Sequence, residues 1–245
     1  MGAPLQHPPD PRRGRTQNRG SARGRRWYGI GRRLPRPARW GGRRPVTSGG
    51  RGASGPTPRV CVIGAGAWGT TLANLLAGSG VEVRLWALEP DVASSIRDFG
   101  ENTLFLQGVP LERTRLSATN SLSDALDGAE VVVWVCPVQH SAALLARAAA
   151  FIPPGAIVVT ASKGIEITTL RRMDEIFADV LPARQAERLC VLSGPSFARE
   201  VSAGAPTAVA VASRHPRARD RIQSLFQTRR FRVYTNPDVV GVELG

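Results

Sequence analysis

The chain has 245 residues and a formal net charge of +14, and this charge lies at one end. Residues 1–59 hold 15 arginines against the single acid Asp10, whereas residues 60–245 hold 18 basic and 18 acidic residues. The neutral part is long enough for one core and gives no electrostatic reason to expect nucleic-acid binding. No run reaches the roughly 18 apolar residues of a membrane span, so we expect a cytoplasmic protein without one.

Residues 1–58 form a separate segment that is rich in Arg, Gly and Pro and poor in aliphatic side chains. Such a segment cannot bury enough apolar surface to offset its chain entropy, so we predict a disordered basic tail. Three roles stay open for it: an extension without function, an RNA-binding segment, or an organelle transit peptide.

Beyond the tail, β-branched runs alternate with helix-like stretches. The predicted strands are residues 59–63, 81–86, 115–118, 131–135, 156–160, 189–192, 207–211 and 231–234. The predicted helices are residues 68–77, 90–97, 121–126, 141–150, 216–226, and one that runs from a cap at Thr168 or Thr169 to residue 180. This alternation predicts an α/β fold, a doubly wound and mostly parallel sheet covered by helices on both faces.

The first turn of this series, residues 64–69, reads G-A-G-A-W-G between a predicted strand and a predicted helix. In that context the G-x-G-x-x-G pattern is typical of a dinucleotide-binding site. Gly64 allows the tight turn, Gly66 lets the backbone approach a pyrophosphate, and Gly69 allows the helix to pack closely on the strand. The helix N-terminus would then offer its free N–H groups to the anion.

The acid expected near the end of the second strand is ambiguous. Glu89 lies 20 residues after Gly69, where it would accept a hydrogen bond from an adenosine ribose. It is equally well explained as a solvated acid at the start of the helix that begins with Pro90. NAD and NADP therefore both stay open as the cofactor.

Lys163 is the only lysine among 33 basic residues, and it follows the predicted strand 156–160. Open α/β sheets bind ligands at the carboxyl ends of their strands, and an ammonium is a compact point charge that arginine does not replace. We therefore interpret Lys163 as a functional residue, against the alternative of a surface lysine without a role. His140, after another strand, would either line a cofactor cleft or be a solvated loop histidine.

The three cysteines, Cys61, Cys136 and Cys190, each lie in or beside a run of Val and Leu. Their spacing fits no zinc site, and their odd number argues against a disulfide framework. We expect buried, reduced thiols and no bound metal.

Four segments together resemble the NAD(P)-dependent sn-glycerol-3-phosphate dehydrogenases of bacterial type. They are residues 64–70, 161–166, 192–200 and 236–245. The chain is identified as the N-terminal, Rossmann-type cofactor-binding domain of this family. The resemblance implies a reversible hydride transfer between NAD(P)H and dihydroxyacetone phosphate or sn-glycerol 3-phosphate, which supplies phospholipid synthesis.

The resemblance also implies roles for individual residues. Those that match cofactor contacts are Ala67, Trp68, Lys163 and Ala198, besides the three glycines. Those that match substrate contacts are Lys163, Gly194 and Ser196. An ammonium at Lys163 would stabilise the negative charge that develops on a ketone oxygen as it accepts hydride. Without the resemblance, Ser196 is as well explained as a helix cap.

Two departures from the family bear on the function. Leu88 stands where many members carry an arginine that holds the adenosine end of the cofactor. In the family, a second lysine and a helical domain with a phosphate-binding arginine follow the position of Gly245. We therefore expect a tail over 1–58, a dinucleotide-binding domain over 59–235, and the start of a truncated helical domain over 236–245, with little or no activity in this chain alone.

Two other functions stay open. One is another two-domain Rossmann dehydrogenase, such as a ketopantoate reductase or a 3-hydroxyacyl-CoA dehydrogenase. The other is a nucleotide-binding module without catalysis, carried by an RNA-binding tail. A homodimer is an open possibility for a full-length form.

Overall fold

A computed structural model describes residues 58–245 of the chain. The predicted disordered tail and its possible roles fall on residues that lie, except for residue 58, outside this described part. Within residues 58–245, no helix combines the length and the apolar character that crossing a bilayer requires.

One eight-stranded sheet forms the centre of the described residues. Its strands are β1 Arg59–Ile63, β2 Glu82–Trp86, β3 Leu116–Thr119, β4 Val131–Trp134, β5 Ile157–Thr160, β6 Cys190–Ser193, β7 Thr207–Ala212 and β8 Phe231–Asn236. In space they follow the order β3-β2-β1-β4-β5-β6-β7-β8, and every neighbouring pair except β6 and β7 is parallel. This confirms the predicted α/β class with a mostly parallel sheet.

Helices cover both faces of the sheet. In the described residues they are α1 Ala67–Gly78, α2 Pro90–Phe99, α3 Leu122–Leu126, α4 Val138–Ala148, α5 Met173–Val180, α6 Ala183–Ala186, α7 Ala198–Ser202, α8 Pro216–Phe226 and α9 Val239–Leu244. Alternate residues of β1 enter two separate cores: Val60 and Val62 pack with α1, α2 and α8, whereas Cys61 and Ile63 pack with α3, α4 and α5. Because successive side chains of a strand point to opposite faces, a strand buried on both sides must be apolar throughout.

All eight predicted strands are confirmed, with ends that differ from the prediction by at most two residues. The six predicted helices are also present, and α8 has the predicted bounds. The sequence pattern does not predict α6. It predicts a helix after Ser196 and a helical start over 236–245, but not the bounds of α7 and α9, because four to six residues are too few to show a helical period.

The start of α5 was predicted wrongly. The helix begins at Met173, so neither Thr168 nor Thr169 caps it. Instead the hydroxyl of Thr169 donates a hydrogen bond to the carboxylate of Glu166. Leu170 then has a φ of 56°, in the left-handed region. A right-handed helix cannot pass through such a residue, and therefore it starts only afterwards.

Helix α9 is fastened to the sheet by apolar contacts and by one buried carboxylate. Val239 and Val242 pack against β6 and β7. Glu243 accepts hydrogen bonds from the backbone N–H groups of Met173, at 2.6 Å, and Asp174, at 3.3 Å, at the start of α5. Burial, helped by the nearby charge of Asp174, raises the pKa of Glu243 to about 7.

The edge-to-face pair of Trp134 and Phe177, with ring centroids 5.5 Å apart, anchors α5 to the sheet. Phe177 is fully buried, so Phe177→Ala should leave a cavity and lower the free energy of unfolding by about 3–5 kcal/mol. Denaturant titration followed by tryptophan fluorescence measures this loss. Phe99→Ala is the matched control, because Phe99 is 74% exposed, and should change the stability by less than about 0.5 kcal/mol. Equal losses in the two variants would contradict the packing described here.

Stability should also depend on pH through Glu243. The raised pKa means that the folded chain keeps this proton between about pH 4.5 and 7, where the unfolded chain has lost it. The contribution of Glu243 to the free energy of unfolding is therefore present at low pH and falls as pH rises through that window. Since Glu243→Gln cannot ionise, its stability should decline less than that of the unchanged chain between pH 5 and 8. Parallel stability curves for the two proteins would rule out this titration.

Candidate functional site

A cleft of about 910 Å³ lies at the carboxyl ends of β1, β2, β4 and β5. The chain builds outward from β1 to β3 and then returns to place β4 beside β1, so the strand order reverses between β1 and β4. Open α/β sheets bind their ligands at such a reversal. The cleft volume is near the upper end of the range for small-molecule sites.

The turn from β1 into α1 forms one wall of the cleft, and its three glycines differ in their surroundings. Gly64 has a φ of +112°, and a Cβ there would lie 2.7 Å from the carbonyl oxygen of Val135. A Cβ on Gly69 would overlap the carbonyl oxygen of Gly64, whereas one on Gly66 would meet no atom within 4 Å. The turn is thus packed tightly at Gly64 and Gly69 and open at Gly66, which lines the cleft.

The N-terminus of α1 also lines the cleft, through Gly66, Ala67, Trp68 and Gly69. Gly66 is the N-cap residue, and no side chain caps the helix there. The first-turn N–H groups therefore keep their hydrogen-bonding capacity, and the helix dipole adds partial positive charge. These two properties make a helix N-terminus a binding site for phosphate groups.

Lys163 lies in the turn after β5, two strands away from β1, and its exposed side chain lines the same cleft. Its Nζ donates a hydrogen bond of 3.0 Å to the carbonyl oxygen of Gly194, in the turn after β6. The cleft therefore brings together an anion-binding helix N-terminus and a positively charged ammonium.

Two polar side chains hold the turn that carries Lys163. Ser162 Oγ donates a hydrogen bond of 2.7 Å to the carbonyl oxygen of Cys136, just after β4. Gln139 makes two hydrogen bonds of 2.9 Å with the backbone of residues 165–167, one as donor and one as acceptor. The turn is thus fastened to β4 on one side of the lysine and to α4 on the other. The sequence analysis identified neither Ser162 nor Gln139.

The segment after β6 carries the other predicted substrate contacts. Ser196 lines the cleft, and its Oγ donates at 3.3 Å to the same Gly194 carbonyl that accepts from Lys163. Ser196 is not a helix cap, because α7 begins one residue later than that would require. Gly194 and Ala198 do not line the cleft. The carbonyl oxygen of Ala198 accepts a hydrogen bond of 3.3 Å from Thr71 Oγ1 on α1.

The ambiguous candidates Leu88, Glu89 and His140 also line the cleft. Leu88 is 64% exposed. Glu89 is the N-cap residue of α2, yet its side chain makes no capping hydrogen bond, so its carboxylate is available to accept from a ligand hydroxyl. His140 lies in the first turn of α4 and is exposed, so its burial does not distinguish a cleft residue from a solvated histidine.

Sequence reasoning missed two large side chains of the cleft, Phe105 and Arg147. Arg147 lies on α4 with Ala143 and Leu144, at helical spacing from His140, so the helical period of α4 would have pointed to it. Phe105 lies in the connection between α2 and β3, where no periodic signal exists.

All three cysteines are buried and free, as predicted. Burial raises the pKa of Cys136 and of Cys190 to about 12 each, and it raises the pKa of Cys61 still further. Cys136, which lines the cleft, is therefore a neutral thiol at physiological pH and a poor nucleophile. Residues 58–245 contain no group of three or more His, Cys, Asp or Glu side chains placed to hold a metal ion.

Several known proteins that are similar to this chain share one name. A family model described as the N-terminus of NAD-dependent glycerol-3-phosphate dehydrogenase matches residues 59–219. A protein of Geobacter metallireducens named glycerol-3-phosphate dehydrogenase (NAD(P)+) is 52% identical over 187 residues, which are 76% of this chain and 56% of that protein. A protein of Myxococcus xanthus with the same name is 45% identical, with the same two shares. The chain spans about half the length of the curated relatives it matches.

Solved structures agree with this similarity. The crystal structure of glycerol-3-phosphate dehydrogenase from Coxiella burnetii superposes with a TM-score of 0.71 at 32% identity, over 76% of this chain and 56% of that one. A ketopantoate reductase from Ralstonia eutropha reaches a TM-score of 0.56 at 18% identity, over 76% of this chain and 58% of that one. At such low identity, the second similarity shows the fold alone.

Stability measurements can test the difference between the tightly packed Gly69 and the open Gly66 in this turn. Gly69→Ala should lower the free energy of unfolding by about 3 kcal/mol, because the added methyl group would overlap the backbone of Gly64. Gly66→Ala is the matched control: its Cβ enters open space, and its φ of −65° suits alanine, so we expect a change of about 0.5 kcal/mol or less. Thermal and denaturant unfolding measure both. A stable Gly69→Ala variant would show that α1 does not approach β1 as closely as described.

Proposed function

The chain belongs to the NAD-dependent glycerol-3-phosphate dehydrogenase family, and from that premise we propose that it forms the dinucleotide-binding part of an oxidoreductase. The reaction is a hydride transfer between NAD(P)H and dihydroxyacetone phosphate or sn-glycerol 3-phosphate. The observation that carries this proposal is the single cleft lined both by the open N-terminus of α1 and by Lys163.

The cofactor's phosphates fit the N-terminus of α1. Gly66 leaves room for a pyrophosphate to approach the backbone, and the N–H groups of Ala67 and Trp68 would donate to it. Gly64 and Gly69 contribute by shaping the turn. The nicotinamide ring supplies the hydride chemistry, and the chain's residues supply binding, orientation and charge.

Lys163 would act on the oxygen of the reacting carbonyl group. As a ketone accepts hydride its oxygen gains negative charge, and a fixed ammonium nearby lowers the energy of that charge as it develops. The hydrogen bond from Nζ to the Gly194 carbonyl directs the ammonium, while the Ser162 and Gln139 contacts restrain its turn. Pre-set orientation of this kind avoids reorganisation during the reaction.

The remaining predicted residues would have more limited roles. We assign Ser196 to substrate recognition, because its hydroxyl lines the cleft beside the acceptor of Lys163. Gly194 would act through its carbonyl, as the residue that orients Lys163. Ala198 does not line the cleft, so it would contact the cofactor only if the cofactor extended beyond the cleft. Its role therefore rests on the family resemblance.

The choice between NAD and NADP stays open. Glu89 would accept from an adenosine ribose, which favours NAD, whereas Arg147 adds a positive charge to the same cleft, which would suit a 2′-phosphate.

A cytoplasmic location, a homodimer and the division of the chain at residues 58 and 235 stay predictions. We also propose that catalysis needs residues beyond those present here, since the relatives are nearly twice as long as the matched part.

The alternatives receive less support. The ketopantoate reductases share the fold at 18% identity or less, well below the 52% identity of the Geobacter metallireducens relative. A non-catalytic module with an RNA-binding tail stays a prediction, because the tail lies outside the described residues.

Calorimetric titration of the 245-residue chain tests the binding half of the proposal. We expect heat on adding NADH, NADPH or both, with little or no oxidation of NADH when dihydroxyacetone phosphate is added. No heat with either dinucleotide would contradict the proposed function. A reaction rate that scales with protein and disappears in Lys163→Ala would instead show that this chain is catalytically complete.

A chimaera tests the catalytic half. The chain is extended with the C-terminal half of the Geobacter metallireducens relative, and the dihydroxyacetone-phosphate-dependent oxidation of NADH is followed. Lys163→Ala should lower kcat/KM by about 100-fold or more, because the charge on the carbonyl oxygen loses its partner. Lys163→Arg keeps the positive charge but spreads it over a planar guanidinium, so this variant should recover little of the lost kcat/KM. Full activity of Lys163→Ala would refute the role of Lys163.

A further inference from the structure

Asn102 is a fully buried amide directly beneath the glycine turn, in the connection between α2 and β3. Its Nδ2 donates two hydrogen bonds of 2.8 Å, to the carbonyl oxygen of Ala65 and to Thr70 Oγ1. Its Oδ1 accepts one of 3.0 Å from the backbone N–H of Phe105. The amide cannot be turned around, because the Ala65 carbonyl only accepts and the Phe105 N–H only donates.

The contact with Ala65 fixes the orientation of one peptide group in the glycine turn. The Ala65 carbonyl receives hydrogen bonds from Asn102 and, at 3.2 Å, from the hydroxyl of Thr70, both on the buried side. The described residues contain no cis peptide bond, so the N–H of Gly66 points away from that carbonyl. Gly66 lines the cleft on its open side. Its N–H is therefore directed away from the buried amide.

We propose that Asn102 is a positioning residue for dinucleotide binding, which holds the Ala65–Gly66 peptide so that the Gly66 N–H donates to the pyrophosphate. This inference rests on the proposed function, since it concerns the same cofactor. Without Asn102, the Ala65 carbonyl would keep only the longer hydrogen bond from Thr70, so the peptide would be held less firmly. The Gly66 N–H would then have to be oriented during binding, at a cost in affinity.

The same side chain links the turn to a second wall of the cleft. Phe105 lines the cleft, and its backbone N–H is held by the Oδ1 of Asn102. The backbone carbonyl of Asn102 also accepts from Leu106 N–H at 3.0 Å. One buried amide thus sets both the phosphate-binding peptide and the position of an aromatic side chain that faces the ligand.

A purely structural role must be distinguished from this one. Ser95 provides the matched control: its Oγ donates to the carbonyl oxygen of Glu101 at 2.6 Å and lies 3.0 Å from Thr103 Oγ1. It therefore restrains the same connection as Asn102 but does not contact the glycine turn. Ser95→Ala loosens the connection alone, and Asn102→Ala also removes the shorter of the two hydrogen bonds to the Ala65 carbonyl.

The test uses the full chain, with ADP-ribose and NADH as ligands for calorimetry. Asn102→Ala should weaken both affinities about tenfold, the worth of one hydrogen bond to a charged group. Ser95→Ala should change them less than twofold. Asn102→Asp keeps the size of the side chain but loses its N–H donors, so this variant should bind ADP-ribose and NADH no more tightly than Asn102→Ala does. Wild-type affinity in a folded Asn102→Ala, or an equal loss in Ser95→Ala, would overturn the proposal.

A measurement on the unchanged chain covers the case in which the Asn102 variants do not fold. In ¹H–¹⁵N spectra, the Gly66 amide resonance should shift on titration with ADP-ribose, as expected for a donor to pyrophosphate. An unmoved Gly66 resonance in a chain that binds ADP-ribose would overturn the inference and leave the proposed function standing. A chain that binds neither NADH nor NADPH would overturn the proposed function, and this inference with it.

Discussion

The close approach of α1 to the end of β1 is the constraint on which the site depends. Because Gly69 lies against the carbonyl of Gly64, the first turn of the helix sits directly over the end of the strand, and no residue with a side chain fits there. This contact aims the helix axis at the carboxyl edge of the sheet. Ala67 and Trp68, in the first turn of the helix, therefore line the cleft because of backbone packing, before any side chain is considered. The free N–H groups on which the proposed phosphate binding depends are thus a property of the backbone.

The double core gives that edge its rigidity. Apart from the exposed Arg59 at the start of β1, the central strands β1 and β4 are apolar and bury alternate residues in opposite cores, so a shift of either strand would disturb both cores. The turns after β4 and β5 begin at the ends of buried strands, and the hydrogen bond from Ser162 to Cys136 joins the two turns. Lys163, although exposed, therefore projects from a turn that is attached to a buried strand and held by a hydrogen bond. The hydrogen bond from Nζ to the Gly194 carbonyl then sets the direction of the ammonium.

The sequence predicted those parts of the molecule that short-range patterns determine. The glycine turn is a short motif of this kind. A strand buried on both faces, such as β4, leaves a continuous apolar run, and a strand with one exposed face, such as β8, leaves an alternating pattern. Lys163 was found because it is the only lysine. The start of α5 was missed because Thr169 bonds to Glu166 and leaves Leu170 left-handed, which is a local choice that a capping pattern does not reveal. Asn102 left no signal, since its partners Ala65 and Thr70 are more than 30 residues away in the chain.

Two of the side chains that support the walls of the cleft, Asn102 and Gln139, are neutral amides, and electrostatics gives a reason for this. Asn102 and Gln139 each bind backbone through one acceptor and at least one donor, so each restrains two peptide segments without adding charge. A carboxylate in place of Asn102 would repel the Ala65 carbonyl and, beyond it, a bound pyrophosphate. A buried cation there would be costly to desolvate and would compete with the helix N-terminus for the same phosphates. These neutral supports add no charge of their own to the cleft, whose charges come from Lys163, Arg147 and Glu89 and from the partial positive charge at the N-terminus of α1.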